Sequence, residues 1–440
     1  MDTGHTNQIA IIGGGIAGLT AAPIAARAGA RVTLFERSQR VGGRAASEIR
    51  DDFVLNQGPH ALYRGGAADS VLAELGITVD GRTPVNAGYA IRGGRRYLLP
   101  GAGRSFVATR LLGLRAKAEL GAFLMKFPNL DTAPLQRTPA GEWLASTFNQ
   151  PSVRQLMAAL LRVATYTNAP SLQSAGAALD QLKEALSSGV RYLDGGWQPM
   201  VDALRDSALA SGVSIQSSSR VERVARTAEG WAVTTSNGEA LASGALILAI
   251  APREAAALVT EGTAADYMAS CAFDSVPVRA ASLDIALTRL PRPRSLVALG
   301  MDEPLYLSVH SATAKLAPEG QALVSLARYL DPSEVADPAL SEHQLERLMD
   351  LMQPGWRAFL VHRRVLPSLT VTHAQVTAAT GGLSGRPAVA VPGTEGLFIA
   401  GDWVGSEGML AEAAFASGRL AGRLAASVSA ATPPVMAGVA

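Results

Sequence analysis

Apolar positions along this chain fall into two rhythms, one of strand length and one of helical period. Residues 8–12 are a short apolar run, followed by Gly13-Gly14-Gly15-Ile16-Ala17-Gly18. From 19 to 28 the spacing is helical, with Gly29 as its stop. Pro23 within that stretch predicts a kink or a place near the helix start. Residues 31–36 read as a second strand, so the unit is strand, helix, strand, with the helix opening on glycines. Residues 141–188 keep a helical period until Gly195-Gly196-Trp197 breaks it, and 199–210 predict another helix. Short strands are predicted at 213–215, 221–224 and 231–235, with Asn237-Gly238 as a hairpin-type turn. Residues 245–250 are apolar throughout, as a doubly covered strand is. Strands follow at 281–287 and 323–329, a helix at 341–352, a strand at 397–402 ending in Gly401-Asp402, and a last helix at 409–426. The Pro/Ala-rich stretch 431–440 is expected to be a disordered tail.

Composition narrows the class. The 440 residues carry 39 basic and 37 acidic side chains, a net charge of +2, which gives no support to a nucleic-acid-binding reading, and no nucleic-acid partner is expected. At 48% hydrophobic there is material for a large core. The single cysteine, Cys271, excludes an internal disulfide and a multi-cysteine metal site, so no metal is expected. Residues 1–8 are mostly polar and do not read as a secretory signal. No apolar run approaches the ~18 residues of a membrane span. A cytoplasmic protein, at most peripheral to a membrane, is expected. Only four basic residues are lysines, which codon usage in a GC-rich genome explains most simply.

Gly13, Gly15 and Gly18 match G-x-G-x-x-G, and they stand between a strand and a helix as that motif requires. The first glycine permits the tight turn, the second lets a pyrophosphate approach the backbone, and the third lets helix and strand pack closely. The helix start offers free N–H groups and a positive dipole end. Glu36 closes the second strand 23 residues beyond Gly13, where a carboxylate accepts hydrogen bonds from ribose hydroxyls. These features point to a dinucleotide.

The next residues narrow the choice of dinucleotide. Arg37 leads into Gly42-Gly43-Arg44, and this stretch resembles the flavin amine oxidase and phytoene desaturase superfamily; the runs Ser308-Val309-His310-Ser311-Ala312 and Leu283 to Pro291 look most similar to its phytoene dehydrogenase-like members. The resemblance continues in Gly58-Pro59-His60, Gly195-Gly196-Trp197, Val221, Ala249-Ile250-Ala251-Pro252, Gly401-Asp402-Trp403, Gly408-Met409-Leu410 and Ala416-Ser417-Gly418. It implies an α/β fold: a discontinuous Rossmann-type FAD-binding domain with a parallel-sheet core, and an inserted α+β substrate domain, amine-oxidase/glutathione-reductase-like. The expected division is 1–80, 190–260 and 390–430 for FAD, and 81–189 and 261–389 for substrate. It implies non-covalent FAD held by Gly13, Gly15, Ile16, Ala17, Gly18, Glu36, Arg37, Gly42, Gly43, Arg44, Gly58, Pro59, His60, Trp197, Val221, Ala251, Gly401, Asp402, Gly408, Met409 and Leu410. Asp402 matches the acid that bonds the ribityl chain, and a helix dipole near the flavin would stabilise its reduced form.

Members of that superfamily pass a hydride from a C–H bond to flavin N5. Many amine oxidases carry a lysine near N5 on the strand that here is roughly 275–287. This strand has no lysine, and Arg279 lies nearest the expected place. Met409 stands where an aromatic cage residue often does. The expected reaction is therefore dehydrogenation, or desaturation, of an apolar or isoprenoid-like small molecule, with O2 or another acceptor reoxidising the flavin. Amine oxidation is the alternative. A second G-x-G-x-x-G for NADPH is absent, and intact motifs at both ends argue against a non-catalytic escort. Candidate catalytic groups are His60, Tyr166 and Glu407. His310 and Asp284 read as satisfied buried polar groups. Residues 117–127 form an amphipathic stretch, either packed over the cavity or touching a membrane. A monomer or homodimer is expected.

Overall fold

The computed structural model describes residues 7–84, 87–101 and 103–431. The expected tail 431–440 lies, beyond Ala431, outside the described residues. Five strands form an all-parallel sheet in the order Ser214–Gln216, Arg31–Phe35, Gln8–Ile12, Ala245–Leu248, Leu397–Ile399. Ile9, Ile11, Leu246 and Ile247 have no exposed surface, because helices and a three-stranded antiparallel sheet (Val221–Thr227, Gly230–Thr235, Ala240–Ser243) pack against them. This sheet draws on three separated parts of the chain.

Helix Ile16–Arg27 follows the first strand directly and runs through the buried Pro23. Helix Ala411–Ala431 lies against it. Their approach is close enough to demand glycine: a Cβ on Gly418 would come 2.4 Å from the Ala17 carbonyl oxygen, and one on Gly422 2.6 Å from that of Ala21. Ser417 ties the same helix to the last strand, its Oγ accepting from Gly401 N–H at 2.9 Å.

A second sheet has seven strands, in the order Leu360–Thr372, Val278–Leu287, Ala322–Leu330, Leu305–Ser308, Val297–Gly300, Tyr89–Arg92, Arg95–Leu98. All neighbours are antiparallel except Val297–Gly300 with Tyr89–Arg92. The sequence pattern predicts two of these strands and misses the long Leu360–Thr372. The predicted helical stretch 141–188 resolves into Ala140–Thr147, Pro151–Thr165 and Ala175–Ser187. Trp143, Phe148, Leu156 and Leu179 share one apolar cluster within this layer. Helix Pro151–Thr165 stops because Tyr166 adopts a left-handed conformation, φ +58°.

Candidate functional site

The carboxyl ends of the first, second, fourth and fifth parallel strands in the chain open on one cavity of about 840 Å³. Clefts at that edge are where open α/β sheets take ligands. One end of the cavity is built from backbone. Gly13, at φ +106°, could not be another residue, since a Cβ there would lie 2.4 Å from the Ala249 carbonyl oxygen. Gly15 is the opposite case: its backbone is ordinary, and a Cβ would meet nothing within 4 Å, so the glycine leaves open space. Helix Ile16–Arg27 starts there with no side-chain cap and no acid in its first turn. Its first N–H groups therefore remain available to an anion. Ile16, Ala17, Arg37, Gly42, Gly43 and Arg220 line the same end. This cradle fits a diphosphate.

Glu36 lines the cavity with both oxygens fixed. Oε2 accepts from Gly14 N–H at 2.7 Å and Oε1 from Ser38 N–H at 2.8 Å. Val221 and Ala251 face the same region. Gly18 lies behind the surface, where a Cβ would come 2.0 Å from the Gly13 carbonyl oxygen. Gly58 also lies off the cavity surface, below Pro59.

In the middle, Arg44, Asp402 and His373 form one polar cluster. Arg44 Nη1 lies 2.7 Å from Asp402 Oδ2 and donates to the Val371 carbonyl at 2.7 Å. The His373 ring is 3.1 Å from Asp402 Oδ1, and its backbone N–H donates to the same oxygen at 3.3 Å. Burial alone would raise the Asp402 pKa, but the Arg44 charge and the His373 hydrogen bond outweigh it and hold the carboxyl well below the usual range. Gly401 lines the cavity beside it.

The far end is built from side chains. Tyr63, Tyr166, Ala280, Ser282, Ala327, Leu366 and Leu410 wall it. Tyr166 donates to the Pro59 carbonyl at 2.9 Å and stands edge-on to Tyr329. His60 Nδ1 lies 2.9 Å from the Gly58 carbonyl, and its ring meets Trp197 edge-on at 4.7 Å. Burial pulls the His60 pKa down and pushes that of Tyr166 up. Trp197 Nε1 is buried without a protein partner, and the residue lines the cavity.

Several expectations need correction. Glu407 is on the surface, its carboxylate 3.2 Å from Arg419, outside the cavity lining. The acid that reaches the cavity is Glu412, in the first turn of the last helix. Glu412 is buried, accepts from Ala68 N–H at 2.8 Å, and has Oε1 unpartnered. Burial lifts its pKa to about 7; Ala68 N–H opposes this, and nearby Glu184 and Asp69 add to it. Met409 is not a cavity wall: it packs behind, with Ala177 and Val376, and Leu410 faces inward instead. Gly408 also stays off the surface, its carbonyl accepting from Arg386 at 2.8 Å. Arg279 turns away to the Pro332 and Glu334 carbonyls, so Ala280 and Ser282 are what that strand presents to the cavity. His310 lies in a short 3₁₀ turn, not a strand, with Nδ1 unpartnered and burial lowering its pKa to about 4. Asp284 is satisfied as expected, 2.6 Å from Arg364 Nη2 and accepting from Ser325 at 2.8 Å. His373 and Glu412 escaped the sequence reading. Glu412 had a signal, a lone carboxylate in a run of small apolar residues; His373 had none.

Known proteins bear out this architecture. The sequence profile of the family described as flavin containing amine oxidoreductase matches residues 16–425. A 4,4'-diapolycopen-4-al dehydrogenase of Metabacillus indicus is 28% identical over 271 residues, 55% of each chain; this chain therefore spans little more than half that relative's length. In three dimensions an oxidoreductase from Methanosarcina mazei superposes with a TM-score of 0.76 at 18% identity, over 94% of this chain and 99% of the other. Cyclohexylamine oxidase from Brevibacterium oxydans gives 0.68 at 15%, over 96% and 98%. At such identities the superpositions speak for the fold alone. The profile match runs from the helix that opens the glycine turn to the helix that closes the sheet, so the chain belongs to the flavin containing amine oxidoreductase family and its cofactor is a flavin, FAD in the members of this family.

Proposed function

We propose that this chain is an FAD-dependent oxidoreductase that dehydrogenates an apolar small molecule. The far end of the cavity carries this reading. Its walls are Tyr63, Tyr166, Ala280, Ser282, Ala327, Leu366 and Leu410, with Glu412 the one acid beside them and no lysine among the described lining residues. His60 is disposed to stay neutral there by a lowered pKa and Tyr166 by a raised one, and burial lifts even the Glu412 carboxyl to about 7. An apolar C–H donor fits such a surface better than a cation does.

Bound FAD would supply a two-electron acceptor for hydride. The chain's own residues hold and orient. Gly13, Gly15, Ile16 and Ala17 receive the diphosphate, Glu36 the ribose hydroxyls, and Val221 and Ala251 the adenine side. Gly43, Arg44, Gly401 and Asp402 face the flavin side, and the Pro59–His60 turn with Trp197 borders it. The association is non-covalent, since the Cys271 thiol is buried in helix Gly262–Asp274 away from the cavity. We divide the chain as 1–80, 190–260 and 390–430 for cofactor and 81–189 and 261–389 for substrate, save that helix Gly262–Asp274 goes with the cofactor unit. That exception is supported by Met268 and Cys271, which share an apolar cluster with the parallel sheet. O2 or another acceptor would reoxidise the flavin.

Amine oxidation is the second reading, because Tyr63 and Tyr166 face the cavity beside Glu412, an arrangement able to receive a cation. Anaerobic mixing with an apolar polyene aldehyde or with primary amines separates the two by bleaching of the flavin absorbance. Bleaching by the polyene supports the first reading, and bleaching by amines alone overturns it. A purified protein that takes up no FAD ends both.

A further inference from the structure

Charge is distributed unevenly along this nearly neutral chain. Residues 92–130 carry eight basic side chains and one acid, Glu119, so the rest of the chain is net negative. Glu119 is turned inward, accepting from the Asn149 and Gln150 N–H groups at 2.7 and 3.0 Å. Arg104, Arg110, Arg115 and Lys126 are exposed and make no ion pair among the described residues.

The same segment turns an apolar face outward. Helix Leu114–Lys126 buries Ala116 and Leu120 in the helical layer. On its opposite side Leu114, Ala118, Ala122 and Met125 recur at helical spacing and are all exposed, Leu114 by 87% and Met125 by 79%. Arg115 and Lys126 flank this stripe on one side, Lys117 on the other. The short helix Arg104–Ala108 joins the same surface, since Lys117 Nζ donates to the Val107 carbonyl at 2.6 Å. Val107 is itself 74% exposed. Large apolar side chains standing out between unpaired cations are costly in water unless something covers them.

We propose that this face docks the protein on an anionic lipid bilayer. The apolar stripe enters the boundary between headgroups and acyl chains, and the ring of arginines and lysines meets the lipid phosphates. The face is carried by the helical layer that also holds Pro151–Thr165, the helix whose end places Tyr166 in the cavity. The inference stands on this surface alone and not on the choice of substrate.

Flotation of the FAD-loaded protein with lipid vesicles tests it. Vesicles of phosphatidylcholine containing phosphatidylglycerol at about one part in three carry the protein upward, and pure phosphatidylcholine vesicles do so far less. Raising the salt weakens the binding. Leu114→Ser combined with Met125→Ser lowers partitioning at least about tenfold, because two exposed side chains lose their apolar surface. Phe273→Ser, an equally exposed apolar position beside Asp274, leaves partitioning unchanged. Melting temperature and flavin absorbance of each variant show that the fold is intact. The proposal is overturned if the wild type ignores anionic vesicles, or if the double variant floats as the wild type does. It is equally overturned if Leu114 and Met125 support only a dimer in solution and no vesicle binding.

Discussion

The two ends of the cavity are made in different ways. At the nucleotide end recognition is written in the backbone: an uncapped helix start, an open space at Gly15, and a Glu36 carboxylate fastened at both oxygens. At the far end it is written in side chains that arrive from distant segments. Tyr166 bonds the Pro59 carbonyl 107 positions away, and Tyr63 that of Ala164, 101 positions away. A backbone cradle tolerates little change and holds one kind of ligand. A side-chain wall can be re-lined without moving the chain, which is how one frame can serve different substrates.

The sharpest test of this contrast uses two neighbouring glycines. Gly18→Val prevents folding, because its Cβ would collide with the Gly13 carbonyl. Gly15→Val folds with a near-normal melting temperature and loses FAD, read from the flavin absorbance, by at least about a hundredfold, since a side chain now occupies the cradle. Normal flavin content in Gly15→Val would break the comparison. Asp402→Ala comes next. It strips the counter-charge from the partly exposed Arg44 and the half-buried Arg386, and should cost about 2 kcal/mol in denaturant unfolding together with flavin loss. Because the Asp402 pKa is depressed, its contribution is complete above the normal carboxylate range and disappears only in strong acid.

Glu412 titrates in the opposite sense. Its pKa is raised when folded, so its contribution is full below the unfolded value of 4.5 and is lost as pH rises through about 7. The cofactor-free protein should therefore be less stable at pH 8 than at pH 5 by about 2.5 kcal/mol, read as a lower melting temperature. Glu412→Gln should flatten that dependence. Tyr166→Phe removes one buried hydrogen bond, costs about 1 kcal/mol, and changes KM without changing flavin content. Glu407→Gln should do almost nothing, less than about 0.5 kcal/mol, as exposed ion pairs do. A large loss of turnover there would return Glu407 to the site.

The nucleotide end was legible because its signals are contiguous. Gly13 to Arg44 state the turn, the acid and the glycine pair in one stretch, and the parallel strands Ala245–Leu248 and Leu397–Ile399 are unbroken apolar runs. The far end was not. Strand Leu360–Thr372 contains Pro367, Arg363 and Arg364 and is mostly half-exposed, so no alternation marks it, and His373 at its end looks like any polar residue. The displacement from Glu407 to Glu412 has a local cause. Gly408 and Leu410 are both left-handed, at φ +69° and +55°, so the last helix starts at Ala411 and not at Met409. That delay swings Leu410 into the cavity, sends Met409 behind it, and makes Glu412 the acid of the first turn. A non-glycine residue in that conformation cannot be read from composition.

The seam at Gly418 and Gly422 also bears on biosynthesis. The first strand and helix leave the ribosome nearly the whole chain before the helix and strand that complete their sheet. Until Ala411–Ala431 emerges, the face of Ile16–Arg27 that packs on it is uncovered, and the cradle lacks its Gly401–Asp402 half. Capture of the flavin is therefore an event of the finished chain.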